Sequence, residues 1–226
     1  MDMFEKMRGS WDRAIKPLVL RLGHLDPNIL TWSSLAVALI AFYLLAAAGL
    51  DDRGGVMIGG AVLLIIFAGL LDGLDGAVAR HQGVDGPYGD FLDHTIDRVV
   101  DVGLLVAIGA NAAFVDELSS GLIAAVLTLL GSYMGTQAQS VGLGRIYGGF
   151  SRADRVVLTL ICLIAAIWQA YAGTAGIDVS GKDYIEWLLL GNTNFNGMTA
   201  ALSISAWGGL YSFLIRFAKA RRQLLD

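Results

Sequence analysis

Six apolar segments of membrane-spanning length follow one another along this chain, and no other feature restricts its fold so strongly. They lie near Ile29–Leu50, Gly55–Leu74, Val99–Val115, Gly121–Gly142, Val156–Gly173 and Met198–Ala218. A helix needs about 20 apolar residues to cross the hydrocarbon core of a bilayer. Only 16% of the residues are charged, against about a quarter in soluble domains. The sequence therefore predicts an all-α integral membrane protein with six transmembrane helices.

The first 28 residues are more polar and are expected to form a cytoplasmic, juxtamembrane segment. Five apolar residues recur there at helical spacing: Phe4, Met7, Trp11, Ile15 and Leu18. This pattern predicts an amphipathic helix that lies on the membrane surface, or one whose apolar stripe packs on protein instead. The expected organisation is this segment (1–28), a six-helix transmembrane domain (29–218) and a cytoplasmic tail (219–226).

The positions of the basic residues predict how the chain is oriented in the membrane. Fourteen of the sixteen Lys and Arg residues fall in residues 1–28, 75–98, 143–155 and 216–226. Loops rich in Lys and Arg stay on the cytoplasmic side. We therefore expect a multi-pass protein of the cell membrane with both termini in the cytoplasm. The net charge of −4 gives no reason to expect nucleic acid as a partner.

The stretch LLDGLDGAVARHQGVDGPYGDFLDHTID ends at Asp97 and holds six Asp residues next to an apolar segment. Its short turn, QGVDG, joins two helices that must run antiparallel as neighbours, and the second is expected to begin at Pro87. At 3.6 residues per turn, Asp72 and Asp75 share one face of the first helix, while Asp93 and Asp97 share a face of the second. The four carboxylates are therefore expected to meet roughly 9 and 14 Å from the turn, just inside the cytoplasmic membrane surface.

Such a cluster of carboxylates predicts a site for divalent cations. Like charges in a medium of low dielectric disfavour ionisation, and a bound cation removes that cost. A set of oxygen ligands without His or Cys suits Mg²⁺ or Mn²⁺, and a pair of such ions is common in phosphoryl chemistry. The three His residues, His24, His81 and His94, show no metal-site spacing among themselves.

Small residues and one cation accompany the carboxylates. Gly76, Ala79 and Gly89 leave room beside them for a bulky part of a substrate, and Arg80 adds a positive charge next to that space. The alternative is an ion-paired cluster of structural Asp residues, with small residues that serve only helix packing. Carboxylates inside a membrane are functional by default, which favours a site.

The spacing of these residues also resembles a known signature. The chain reads Asp72-x-x-Asp75-Gly76-x-x-Ala79-Arg80, then eight residues, then Gly89-x-x-x-Asp93-x-x-x-Asp97. This pattern is similar to the signature of the CDP-alcohol phosphotransferases at all eight fixed positions. The resemblance implies a six-helix membrane enzyme, usually a homodimer, that transfers a phosphatidyl-type group from a CDP-linked lipid to an alcohol and releases CMP.

The resemblance also implies a role for each residue of the signature. It implies that Asp72, Asp75 and Asp93 bind the metal ions. It implies that Asp97 is the general base and a further metal ligand. The residues implied to contact the CDP group are Asp72, Gly76, Ala79, Arg80 and Gly89.

A second group of residues is a candidate for binding the acceptor alcohol. The segment GRIYGGFSRADR holds Arg145, Arg152 and Arg155 on the predicted cytoplasmic side. Arg pairs well with phosphate, so these side chains could bind an acceptor's phosphate group, although simple anchoring of the membrane orientation is the alternative. Paired Arg residues here resemble the branch of the family that uses inositol phosphate. Glycerol phosphate fits nearly as well, and serine would need fewer cations.

A cation or proton transporter is the alternative from a different functional class, because transporters also carry acidic residues inside the membrane. In a transporter, however, such residues should extend along a path through the membrane. In this chain they are confined to one side of the predicted spans. The sequence therefore favours a transferase.

Overall fold

The structure is a computed structural model that describes residues 15–144, 146 and 148–225. Helices make up most of this part of the chain, and its only strands are two short ones. In chain order the elements are α1 (15–22), α2 (Pro27–Ala47), α3 (Asp52–Gln82), α4 (Pro87–Gly109), α5 (Leu118–Ser140), α6 (Arg152–Tyr171), β1 (Ile177–Asp178), α7 (Asp183–Leu188), β2 (Asn194–Phe195) and α8 (Gly197–Leu225).

The long helices confirm the predicted fold class, an all-α membrane protein. Within the described residues, five helices are long and apolar enough to cross a membrane: α2, α3, α5, α6 and α8. Helix α4 has 23 residues and is long enough as well, but several Asp residues and an Arg interrupt its first turns. The described chain therefore has six long helices, as predicted, and two short ones, α1 and α7.

Helix α4 begins at Pro87 as predicted, but it ends at Gly109 and not at Val115. The side chain of Asn111 explains the early end. Its amide donates to the carbonyls of Leu45 (2.6 Å) and Ala48 (2.9 Å). Its oxygen accepts from the backbone N–H of Phe114 (3.0 Å). These contacts pair carbonyls at the C-terminal end of α2 and an N–H in the segment after α4. The chain therefore turns here instead of continuing the helix.

The described residues group into two compact units, of which the first comprises residues 15–39 and Leu64–Val99. Its core joins α1 to α3: Ile15 and Val19 are buried with Leu30, Leu74 and Val78. Ile15 of the predicted stripe thus packs on protein, whereas Leu18, the other described member of the stripe, is 38% exposed. Phe4, Met7 and Trp11 of the predicted stripe lie outside the described residues.

The second unit comprises Ile40–Leu63 and residues 100–225. Helix α8 packs against α5 and α6 in it. A Cβ placed on Gly131 of α5 would come within 2.9 Å of the Gly209 carbonyl of α8, so these two helices approach backbone to backbone. Small residues permit such close packing inside membranes. Helix α8 continues to Leu225, through most of the predicted tail.

Candidate active site

The turn between α3 and α4 brings the Asp-bearing ends of these helices together in the first unit. Gly83 ends α3 in a left-handed conformation with φ of 69°. Its N–H donates to the Arg80 carbonyl, and the next N–H, of Val84, donates to the Ala79 carbonyl. This pattern closes a helix with a glycine and satisfies its last carbonyls. Helix α4 then starts at Pro87, so the turn is as short as the sequence predicted.

Asp75 is a buried carboxylate of the cluster that two donors hold. Its side chain is buried, with 6% of its surface exposed. The hydroxyl of buried Thr31 donates to Oδ2 at 2.5 Å, and the N–H of Gly76 lies 2.5 Å from Oδ1. The carboxylates of Asp72 and Asp93 both lie within electrostatic range of it. Carboxylates of α3 and α4 therefore do converge, and two donors fix one of them in place.

Sequence reasoning missed Thr31 as part of this arrangement. In the sequence, Pro27-Asn28 with Thr31 indicates first of all the start of a helix. Pro27 does begin α2, but Thr31 also reaches a carboxylate 44 positions further along the chain. No local pattern could indicate that contact, because it depends on how α2 packs beside α3.

On α4, Asp93, His94 and Asp97 each offer a ligand atom, and these atoms lie within 4.8 Å of one another. Asp97 is buried and Asp93 half-buried, whereas the His94 side chain is 64% exposed. His94 also lies 3.5 Å from Asp93, although its sequence spacing to the other histidines suggested no metal site. Arg98 lies 3.5 Å from Asp97.

These carboxylates meet the chemical requirements of a divalent cation site. Oxygen atoms on opposite sides of Mg²⁺ lie roughly 4 Å apart, and the ligand atoms of Asp93 and Asp97 lie within 4.8 Å of each other. The ligand atoms of Asp75, Asp93 and Asp97 are hard oxygens on buried or half-buried side chains, and such groups are stabilised when a cation offsets their charge. The donor set thus fits Mg²⁺ or Mn²⁺.

The small residues leave open space beside the carboxylates. A Cβ added to Gly89 would meet no atom within 4 Å, and one added to Gly76 would meet only the Arg80 guanidinium, at 3.2 Å. Ala79 is half-buried and Arg80 exposed on the same helix. A ligand with negative charge can therefore approach the backbone of α3 and α4 next to a cation.

The basic segment before α6 lies in the second unit, where Arg152 and Arg155 belong to the first turn of that helix. Ser151 caps α6: its hydroxyl accepts from the Asp154 N–H, and its own N–H donates to the Asp154 carboxylate. This reciprocal cap fixes the first turn of the helix, which carries Arg152 and Arg155. Arg145 lies outside the described residues.

Both arginines of that turn bind the carboxylate of Asp101 on α4. Arg155 donates to Oδ2 at 2.6 Å and Arg152 to Oδ1 at 3.3 Å. The side chains of Arg155 and Asp101 are buried, whereas that of Arg152 is 32% exposed. The sequence places Asp101 outside the signature, although it continues the four-residue spacing of Asp93 and Asp97 on the same helix. The two guanidinium groups therefore share one carboxylate, and Arg152 is the more exposed of the two.

Arg216 of α8 fixes the loop that leads into α6. Its guanidinium donates to the Gly131 carbonyl at 2.8 Å and to the Gly148 carbonyl at 3.2 Å. Ser212, one turn earlier, exchanges hydrogen bonds with the backbone of Phe150. These contacts hold the loop against α5 and α8. The sequence indicated Arg216 only as part of the basic tail.

Comparison with known proteins gives matches over most of the chain. The sequence model of one family, described as CDP-alcohol phosphatidyltransferase, matches residues 24–188. Archaetidylinositol phosphate synthase of Methanothermobacter thermautotrophicus is 37% identical over 55% of this chain and 62% of its own length. The enzyme of the same name from Aeropyrum pernix is 31% identical over 77% of this chain and 87% of its own.

The fold also matches crystal structures of Mycobacterium tuberculosis phosphatidylinositol phosphate synthase. The structure with CDP-DAG bound superposes with a TM-score of 0.67 at 22% identity and covers 92% of this chain and 94% of that one. A second structure, in complex with manganese and citrate, gives a TM-score of 0.62 at the same identity, over 91% of this chain and 88% of that one. The helical arrangement is thus shared with a protein whose structure has been solved.

Proposed function

This chain belongs to the CDP-alcohol phosphatidyltransferase family, and we propose that it transfers a phosphatidyl-type group from a CDP-linked lipid to inositol phosphate and releases CMP. The observation that carries this proposal is the convergence of Asp72, Asp75 and Asp93 next to the open backbone at Gly89. Membership of the family decides against the transporter alternative.

The chain's own carboxylates would hold the metal. Asp72, Asp75, Asp93 and Asp97 are proposed as ligands of two Mg²⁺ or Mn²⁺ ions; one solved relative was crystallised with manganese. When bound, the cations neutralise the donor's pyrophosphate and stabilise the negative charge of the leaving CMP. Thr31 orients the Asp75 carboxylate, because its hydroxyl occupies one lone pair of Oδ2.

The CDP group is proposed to lie along the open faces of α3 and α4. Gly76, Ala79 and Gly89 allow it to approach the backbone, and Arg80 pairs with its phosphates. Asp72 contributes from the same face of α3. One solved relative was crystallised with CDP-DAG bound, which supports a CDP-linked lipid as the donor here.

Asp97 is proposed as the general base of the transfer. It accepts the proton of the acceptor hydroxyl while that oxygen attacks the lipid-side phosphorus of the donor. A bond forms between the hydroxyl oxygen and this phosphorus, and the bond from the phosphorus to the bridging pyrophosphate oxygen breaks, so CMP leaves. A carboxylate placed within reach of the hydroxyl raises the rate of such a step.

The acceptor is proposed to carry a phosphate group that Arg152 binds. The relatives from Methanothermobacter thermautotrophicus and Aeropyrum pernix are both named archaetidylinositol phosphate synthases, and a guanidinium matches the geometry of a phosphate group. Because Arg155 is buried against Asp101, we assign it the role of fixing Arg152, and Arg145 that of a further phosphate contact. The basic termini and loops support a cytoplasmic site in the cell membrane, and we expect the protein to act as a homodimer.

The acceptor can be identified with a panel of alcohols. Purified protein in phospholipid nanodiscs is supplied with Mn²⁺, with CDP-diacylglycerol or CDP-archaeol, and with inositol phosphate, glycerol phosphate or serine. CMP release with inositol phosphate is expected to exceed release with the other two acceptors with at least one donor. Release only with glycerol phosphate or serine would move the assignment to that acceptor, and no release with any of them would contradict the proposed activity.

A further inference from the structure

The connection between α6 and α8 carries a helix that the sequence pattern did not indicate. Tyr184, Trp187 and Leu188 of α7 recur at the spacing of one helical face. Their exposed fractions are 70%, 64% and 46%. A helix of six residues thus leaves much of the surface of two aromatic side chains and a leucine exposed.

Helix α7 lies beside α8 and not beyond its end. The indole N–H of Trp207 donates to the Leu188 carbonyl at 2.9 Å, and the rings of Trp187 and Trp207 are 4.7 Å apart. Trp207 comes ten residues after Gly197, the start of α8, which corresponds to roughly 15 Å along the helix axis. Helix α7 is therefore flanked by the third turn of α8, a helix long and apolar enough to cross a membrane.

The rest of the connection holds α7 in this place. Ile177 of β1 pairs with Phe195 of β2, and the carboxylate of Glu186 accepts from the Gly181 N–H at 2.7 Å. The side-chain amide of buried Asn196 donates to the backbone carbonyls of Phe114 and Ala175. Polar groups of the connection are thus satisfied within the second unit, so the apolar face of α7 is a fixed surface.

We propose that this face of α7 contacts bilayer lipid at the boundary between headgroups and acyl chains, on the membrane side where α6 ends and α8 begins. The last turn of α6, a helix long and apolar enough to cross a membrane, likewise exposes Trp168 (77%) and Tyr171 (51%) where the connection to α7 begins. Trp and Tyr are enriched at this depth of a membrane, where one end of the ring is apolar and the other can reach water. Leu188 adds an aliphatic side chain that gains from leaving water.

The proposal is tested with nitroxide labels in the full-length protein. Single cysteines are introduced as Tyr184→Cys and Leu188→Cys in a Cys162→Ala background, and the labelled protein is reconstituted into phosphatidylcholine and phosphatidylglycerol vesicles. Asp183→Cys is the matched control, because Asp183 lies about 100° around the same helix from Tyr184. Power saturation compares collisions with oxygen, which partitions into the bilayer, and with a nickel chelate, which stays in water.

Labels at 184 and 188 should collide more with oxygen than with nickel, and the label at 183 more with nickel. Nickel accessibility at 184 and 188 equal to that at 183 would show that the face lies in water and overturn the proposal. Protection from both reagents, with dipolar broadening between labels, would show that a second copy covers the face and would overturn it as well.

The native Trp187 gives a second measurement that needs no cysteine. In a variant with Trp11, Trp32 and Trp168 replaced by Phe and Trp207 kept for its contact with Leu188, the fluorescence that a further Trp187→Phe change removes should be quenched more strongly by lipids brominated near the headgroup than by aqueous acrylamide. A variant that keeps only Trp168 is the reference for a side chain on a membrane-crossing helix. Quenching of Trp187 by acrylamide alone would contradict lipid contact.

Discussion

At the scale of single residues, the hydrogen bond from Thr31 to Asp75 is the contact that orients a proposed metal ligand. Thr31→Val removes the donor at nearly constant volume. Metal affinity should fall about 10- to 100-fold, the usual cost of losing a group that supports a ligand. Calorimetric titration with Mn²⁺ measures it. Thr31→Ser, which retains the hydroxyl, should bind nearly as the native protein does; equal affinity for Val and Ser variants would contradict this role.

Asp97 and Asp75 are proposed to act at different steps, and their Asn variants should separate them. Asp97→Asn cannot accept a proton, so turnover should fall by about two orders of magnitude or more. CDP and metal should still bind, because three carboxylates remain. Asp75→Asn should weaken CDP and metal binding together. CDP affinity is measured by calorimetry beside the rate of CMP release.

Two results would contradict this division of roles. If Asp97→Asn loses CDP affinity as severely as Asp75→Asn, then Asp97 acts chiefly as a metal ligand. If Asp97→Asn retains full turnover, then the base is another group. The first result changes the role of one residue, whereas the second removes the proton-transfer step from the proposed mechanism.

At the scale of the helices, Asp101 of α4 accepts hydrogen bonds from both Arg152 and Arg155 of α6, and we propose different roles for the two arginines. Arg152→Ala should raise the KM for the acceptor more than the KM for the CDP-lipid. A lost charge-assisted contact is worth roughly 1.5–3 kcal/mol, or about ten- to a hundredfold. Steady-state kinetics with each substrate varied in turn measures the two constants. Equal changes in both, or none, would favour simple anchoring of the membrane orientation.

Arg155→Ala is the matched variant and should act on stability instead. It removes the shorter contact of a buried ion pair, and breaking such a pair costs roughly 3–5 kcal/mol. The midpoint of thermal unfolding in detergent should therefore fall well below that of Arg152→Ala. Similar midpoints for the two variants would show that Arg155 does not hold α4 and α6 together.

The helices also show which structural features the sequence could predict. Long apolar runs indicated α2, α3, α5, α6 and α8, because a membrane leaves few alternatives to a helix. The predicted end of α4 was wrong, since Asn111 makes its contacts to α2, distant in sequence. Helix α7 was missed because its six residues are too few for a periodic signal. The chemistry of the Asp set was readable because its spacing falls within two adjoining helices.

At the scale of the whole molecule, the distribution of Lys and Arg predicts that the turn at residues 83–86 faces the cytoplasm. Val84→Cys in a Cys162→Ala background provides a unique label site in that turn, where Val84 is exposed. In sealed right-side-out vesicles, a membrane-impermeant maleimide should react only after the membrane is opened. Reaction from outside intact vesicles would reverse the assigned orientation.

We propose that the Asp cluster of α3 and α4 is a divalent cation site on which transfer from a CDP-linked lipid depends. Its most direct test is CMP release by metal-stripped protein supplied with the donor and acceptor that the panel identifies. We predict no release in excess chelator, recovery when Mg²⁺ or Mn²⁺ is restored, and little recovery for Asp75→Asn. Undiminished CMP release from the stripped protein in chelator would contradict the claim.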